Sequence, residues 1–290
     1  MAAGMILAIG GQTYRALLLV GSVAGLCVWT SRSDVVTWDI DPSASYVRVS
    51  IPDQTLSVPD LGDVTFRVRD AGNNNQWTDA GGRRAPLAGQ LVAEYSDGKS
   101  IRFLSGSHDI RAVEQVTLRP NPAAWDTGTE SYTNTTTAPA ALGARVRATF
   151  VILTFDVAVL AFRSMTMDIG HVNPGSVPLV GGAFAANTTV CGIASGLVDV
   201  DGLELPLGLG QPVPDTFNAQ LPPVAQINAA GGFISDLGGR KRRLTFNIDI
   251  SDLAIELEGM TVTGSAEGKI VANATLPAPP PPPPRLDVRK

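Results

Sequence analysis

Two histidines, His108 and His171, and two cysteines, Cys27 and Cys191, hold all the imidazole and thiol chemistry of this 290-residue chain. His108-Asp109 follows Ser105 and Ser107, an order that invites a serine-hydrolase reading. A nucleophilic serine needs a sharp turn, a base beside it and oxyanion donors opposite, and adjacency along the chain supplies none of these. In Gly192-Ile193-Ala194-Ser195-Gly196 the serine falls one place too late for a nucleophile elbow. Both stretches therefore read as solvated turns. A nucleophilic Cys191 would need a histidine partner and electropositive surroundings. It sits instead in a strand-like run, Thr188-Thr189-Val190-Cys191-Gly192-Ile193, and reads as a buried, inert thiol. Two histidines and one mature thiol also leave no ligand set for structural zinc.

Calcium is the metal that the composition suits best. The stretch from Asp70 to Asp79, DAGNNNQWTD, offers Asp70, Asn73, Asn75 and Asp79 as oxygen ligands in one loop. It lacks the bidentate glutamate and central glycine of an EF-hand, and the same residues are favoured in plain turns. Asp199-Val200-Asp201-Gly202 is a weaker version of the pattern. The densest charge is Arg240-Lys241-Arg242-Arg243, suited to an anionic cell-surface polymer, lipid head groups or another envelope protein. Its plain alternative is a solvated hairpin loop guarding the edge of the next strand.

Such groups must be carried by strands. In residues 244–276, Leu244, Phe246, Ile248 and Ile250 alternate with Thr245, Asn247, Asp249 and Ser251, the period of a half-buried strand. Leu253, Ile255 and Leu257 continue on odd numbers, and the phase slips again after Glu258-Gly259. Gly264 and Gly268 read as bracketing a further turn, so the segment is an antiparallel meander with one buried face. The most apolar stretch of the mature chain, residues 150–162, is too short and interrupted to span a membrane, and its β-branched content favours central strands. Thirty glycines, 21 prolines and only four tryptophans and four tyrosines suit a turn-rich β protein. The net charge of −5 argues against a nucleic-acid partner.

At the N-terminus, Arg15 precedes an apolar segment from Ala16 to Trp29 and then a polar TSRSD, the pattern of a secretory signal. Its removal takes Cys27 with it, so the mature chain must hold by packing, without an internal disulfide. Trp38-Asp39-Ile40-Asp41-Pro42-Ser43-Ala44-Ser45-Tyr46-Val47 resembles the opening of secreted bacterial β proteins that carry a C-terminal PEP-type sorting signal. The likeness extends through Gly89-Gln90-Leu91 and the run from Ile101 to Ser107. The same ten residues also resemble the first strand of YceI-like lipid-binding barrels. Both resemblances imply location and architecture, and neither carries a catalytic motif. The sorted family would have an apolar span before a basic tail; here Pro279 to Pro284 leads directly into Arg285-Leu286-Asp287-Val288-Arg289-Lys290.

The expectation is an all-β antiparallel sandwich or barrel-like meander, as one large domain or two related halves. Residues 1–33 read as signal peptide, 34–120 and 144–277 as β regions, 121–143 as a loop or boundary, and 278–290 as a proline-rich tail. No transmembrane span is expected in the mature chain. The expected function is that of an exported, non-enzymatic structural or adhesive protein of the cell envelope or exterior. The alternative is a barrel or sandwich that binds an apolar or lipid-like ligand.

Overall fold

A computed structural model describes residues 33–279 except 59–61, 79–83, 134–135, 174, 186–187, 203–216, 221–223, 229–230 and 258–259. The signal segment up to residue 32 and the proline run beyond Pro279 lie outside the described residues. So does most of the proline-containing stretch around residues 208–225.

Alternation builds the first strands directly. β1 (Asp34–Ile40) turns Val36, Trp38 and Ile40 inward and Val35, Thr37 and Asp39 outward. A turn on Asp41 leads to β2 (Tyr46–Ser50); its carboxylate accepts from the Ser43 N–H at 3.0 Å and the Ser43 hydroxyl at 2.6 Å. β3 (Gln54–Val58) and β4 (Gly62–Gly72) form a hairpin, and β5 (Gln76–Thr78) folds back on the end of β4. β6 (Arg84–Ser96), β7 (Ser100–Phe103) and β8 (Asp109–Ala112) follow. An excursion then carries two small ribbons: β9 (Val116–Leu118) pairs with β12 (Ala138–Ala140), and β10 (Trp125–Asp126) with β11 (Ser131–Tyr132).

The second half holds the long strands. β13 (Leu142–Phe150) and β14 (Leu153–His171) form a hairpin, followed by the short β15 (Val177–Pro178) and β16 (Ala183–Phe184). β17 (Thr189–Gly202) pairs with β18 (Phe217–Gln220) and β19 (Val224–Asn228). β20 (Gly232–Asp236), β21 (Lys241–Leu257) and β22 (Met260–Thr275) close the chain. Among the described residues, eighteen strands join one antiparallel, barrel-like sheet. Its spine runs β20–β21–β22, then β1 and β2, then β6, β8, β14 and β17. β14 serves two layers. Its first half pairs with β13, which continues to β4 and β3; its second half pairs with β8.

One large apolar cluster fills the space inside this sheet, from Trp38, Leu87 and Leu91 through Ile169 to Phe246 and Ile248. Trp38 meets Tyr95 edge-on at 5.6 Å, and Phe103, Phe184 and Phe246 form a ring cluster with centroids 5.8–6.2 Å apart. Two satellite clusters lie apart from it: Val116, Leu118 and Ala140 on Val159 and Ala161, and Val64 on Ala148 and Val157.

One local reading changes and two sharpen. Gly264 and Gly268 are not turn residues; both lie inside β22, where β2 crosses closely. A Cβ on Gly268 would stand 2.3 Å from the Tyr46 carbonyl oxygen, and one on Gly264 2.7 Å from that of Ser50. The phase slip from Ile250 to Leu253 is absorbed by a bulge between them. The apolar stretch 150–162 is not one buried strand, because a two-residue turn at Val151-Ile152 divides it.

Candidate functional site

The polar face of the β3–β4–β13–β14 layer gathers groups that the chain order keeps far apart. In β4, Thr65, Arg67 and Arg69 share one face; in β13, Arg145, Arg147 and Thr149 do. The register sets Arg69 opposite Arg145, Arg67 opposite Arg147, and Thr65 opposite Thr149. Thr55 extends the threonine row on one side and Thr154 on the other, with Thr55–Thr65 and Thr149–Thr154 hydroxyl pairs at 3.1 Å each.

Like charges set directly opposite each other repel, so two carboxylates flank the arginines. Asp53 meets Arg69 Nη1 at 2.9 Å and Arg67 Nε at 3.3 Å. Asp156 meets Arg145 Nη2 and Arg147 Nε, both at 2.7 Å. Burial alone would raise both carboxyls, but the arginines outweigh it and hold each below the usual carboxylate range. With Asp63, exposed at the start of β4, the face counts four cations and three anions, 4 − 3 = +1, on a chain of net −5. Arg67 is the most open, its side chain 55% exposed. Around the edge of this layer, a cleft of about 210 Å³ lies between Arg48, Ser50 and Ile51 on one side and Asp70, Ala144 and Phe162 on the other.

At the far end of the same hairpin stand exposed apolar side chains. Val151 is 78% exposed, Ile152 87% and Leu153 45%. Val151 adopts φ 54°, a backbone region that β-branched residues rarely occupy.

The sequence-derived candidates go elsewhere. Asp70 lies within β4, Asn73 accepts from the Thr117 N–H at 3.0 Å, the Asn75 side chain is not described, and Asp79 lies outside the described residues. Among the described residues, no three His, Cys, Asp or Glu side chains gather around a common point that would hold a metal. Arg240, Lys241, Arg242 and Arg243 are split by the strand's alternation. Arg242 is buried, held by both oxygens of Asp97 at 2.7 and 2.9 Å and by Asp236 at 2.8 Å. Arg240 donates to the Leu276 carbonyl at 3.2 Å and Arg243 to Asn273 at 3.0 Å, while Lys241 is exposed.

The serine–histidine stretch does come together with an acid, in an order that does not make a triad. Asp168 accepts from the Ser105 hydroxyl and, at 3.1 Å, from the Gly106 N–H, while His108 Nε2 stands 3.7 Å from it. The carboxylate thus touches the serine directly, where a triad would put the imidazole. The His108 ring is buried, not solvated. It accepts the Val92 N–H at 3.0 Å through Nδ1 and so donates from Nε2 to the Ile169 carbonyl at 2.7 Å. His171 repeats the device, accepting from the Phe103 N–H at 2.8 Å and donating to the Thr188 carbonyl at 3.1 Å. Both rings fasten backbone to backbone. Cys191 is fully buried, and burial, with Asp168 nearby, pushes its thiol up to about 12.

Arg163 forms a second ionic centre, inside the protein. Its Nε donates to Asp199 at 2.6 Å, Nη1 to the carbonyls of Ala138 (2.7 Å) and Pro139, and Nη2 to those of Leu118 (3.0 Å) and Pro120 (2.6 Å). Those are all five donors of a guanidinium. Asp199 also accepts from the Tyr132 hydroxyl and from Asn218 at 2.7 Å, and burial, then Asp199, raises the Tyr132 phenol.

Sequence reading missed both arginine arrangements. A signal for the outer one exists, since Arg67-Val68-Arg69 and Arg145-Val146-Arg147 repeat one tripeptide in strand-like surroundings. No known family model and no curated protein matches this chain. No helix among the described residues is long and apolar enough to cross a membrane.

Proposed function

We propose that this chain is an exported, non-enzymatic β protein of the cell envelope or exterior, acting as a structural or adhesive surface component. The observation that carries the reading is the arginine–threonine face, a polar array on four paired strands. The groups with catalytic potential support it from the other side. Both histidines bridge backbone groups, and Cys191 is sealed in the core. The rival barrel around an apolar ligand requires a hollow interior. Among the described residues the inward positions pack on one another, and the cleft of about 210 Å³ beside the layer carries charged groups.

Fractionation of the source cells with intact-mass measurement tests the reading. The expected result is material outside the cytoplasm lacking roughly the first 30 residues, and open to a membrane-impermeant label. Full-length chain confined to the cytoplasm would overturn it.

A further inference from the structure

We infer that the β13–β14 hairpin docks on an anionic lipid surface, its tip entering the interface while the arginines behind it meet lipid phosphates. This deepens the adhesive reading and rests on it. Two independent observations meet on this hairpin. The first is the tip. Two-residue hairpin turns favour Asn-Gly or Gly because their backbone needs positive φ. Here Val151 and Ile152 occupy the turn, Val151 at φ 54°, and both project into solvent with Leu153. A β-branched pair in a strained, exposed turn is disfavoured for folding, and strain of this kind marks functional segments. The second observation is charge: Arg145 and Arg147 on the hairpin, with Arg67 and Arg69 beside them, outnumber by one the carboxylates Asp53, Asp156 and Asp63 on the same face.

Arg147 stands four residues behind Val151, about 14 Å at ~3.4 Å per residue, so the hairpin must lie tilted for tip and arginines to share a headgroup layer roughly 5–8 Å thick. Thr149 and Thr154, between tip and arginines, then bring hydroxyls to the same layer. Asp63, at the level of the tip on the neighbouring strand, cannot enter hydrocarbon and limits the contact to the interface.

The test uses the full chain with vesicles of phosphatidylglycerol and phosphatidylcholine, compared with phosphatidylcholine alone. Co-sedimentation should favour the anionic vesicles by about tenfold or more at low salt, in proportion to the basic groups that reach the surface. Arg67→Gln with Arg147→Gln should remove most of that preference. Val151→Ser with Ile152→Ser should weaken binding about tenfold with the charges intact, through lost apolar burial. Ile152→Trp should shift its fluorescence to the blue on adding anionic vesicles and be quenched by brominated acyl chains. Equal binding to both vesicle types overturns the proposal. So does binding that is lost with the arginines but indifferent to the tip, which would mark a soluble polyanion as the partner. A change of oligomeric state in the serine variant, with lipid binding unaltered, overturns it in favour of self-association. Failure here with export intact leaves the adhesive reading standing, whereas a cytoplasmic chain that binds vesicles removes that reading alone.

Discussion

Arg147 and Arg163 belong to the same hairpin, each pairs with an aspartate, and their surroundings make them opposites. Arg163 is 2% exposed and spends every donor on Asp199 and four carbonyls. Arg147 is one-third exposed and shares Asp156 with Arg145. Buried, the pair is a fastening whose removal strands a charge; on the surface, the same pair is screened by water and weighs little in stability. Charge alone therefore does not tell the two pairs apart. Depth does.

The sharpest way to break this contrast is Arg163→Met, which leaves the buried Asp199 without its cation. Denaturant melts should show a loss of about 3–5 kcal/mol, against well under ~1 kcal/mol for Arg67→Gln on the outer face. Similar losses at both sites would abolish the distinction. Next in size, Ile248→Ala opens a cavity in the core, and about 2–5 kcal/mol is expected, while Asn247→Ser on the outward side of β21 should cost a few tenths of a kcal/mol at most.

Acid should separate the interior from the face by pH. Burial lowers the His171 pKa below 6.5, outweighing its bond to the Thr188 carbonyl, so the folded state disfavours the charged ring. Stability from this group is full above pH 6.5, falls as pH drops through it, and levels off below the folded value. Asp53 and Asp156 are held below 3.8, so their contribution is full above 3.8 and is lost only as pH falls further through their folded values. Melting temperature against pH should descend in two stages, and His171→Asn should remove the upper one. A single descent near pH 4 would refute the buried-ring account.

The smallest effect has the opposite sign. Val151→Asn with Ile152→Gly installs a favoured turn pair, and stability should rise by about 1 kcal/mol as the strain is relieved. Vesicle binding should fall at the same time. A gain in both would mean the tip is not the contact.

These contrasts also show what the sequence could reveal. The alternation of Leu244, Phe246 and Ile248 against Asn247 and Asp249 is legible because inward and outward positions differ in polarity at every step. Gly264 and Gly268 mislead because a glycine in a turn and a glycine under a crossing strand look alike until β2 is in place. The apolar stretch 150–162 hides its hairpin because the turn contains neither glycine nor asparagine. Each Arg-Val-Arg is visible alone, but their pairing depends on a register set between segments about eighty residues apart. Arg163 is harder still, since four of its acceptors are main-chain carbonyls with no residue signature.

That last property has an evolutionary side. Every amino acid supplies a carbonyl, so the excursion holding β9 to β12 can change its side chains at Leu118, Pro120, Ala138 and Pro139 and still present the same acceptors to Arg163 wherever the backbone path survives. The anchorage is inherited through Arg163, Asp199 and the Tyr132 hydroxyl that bonds it, while the other side chains of the segment can diversify. Between related chains, these three should then stay fixed as the loop around them drifts, which makes the β10–β11 turn, residues 127–130, the natural place to graft a foreign epitope without disturbing the barrel.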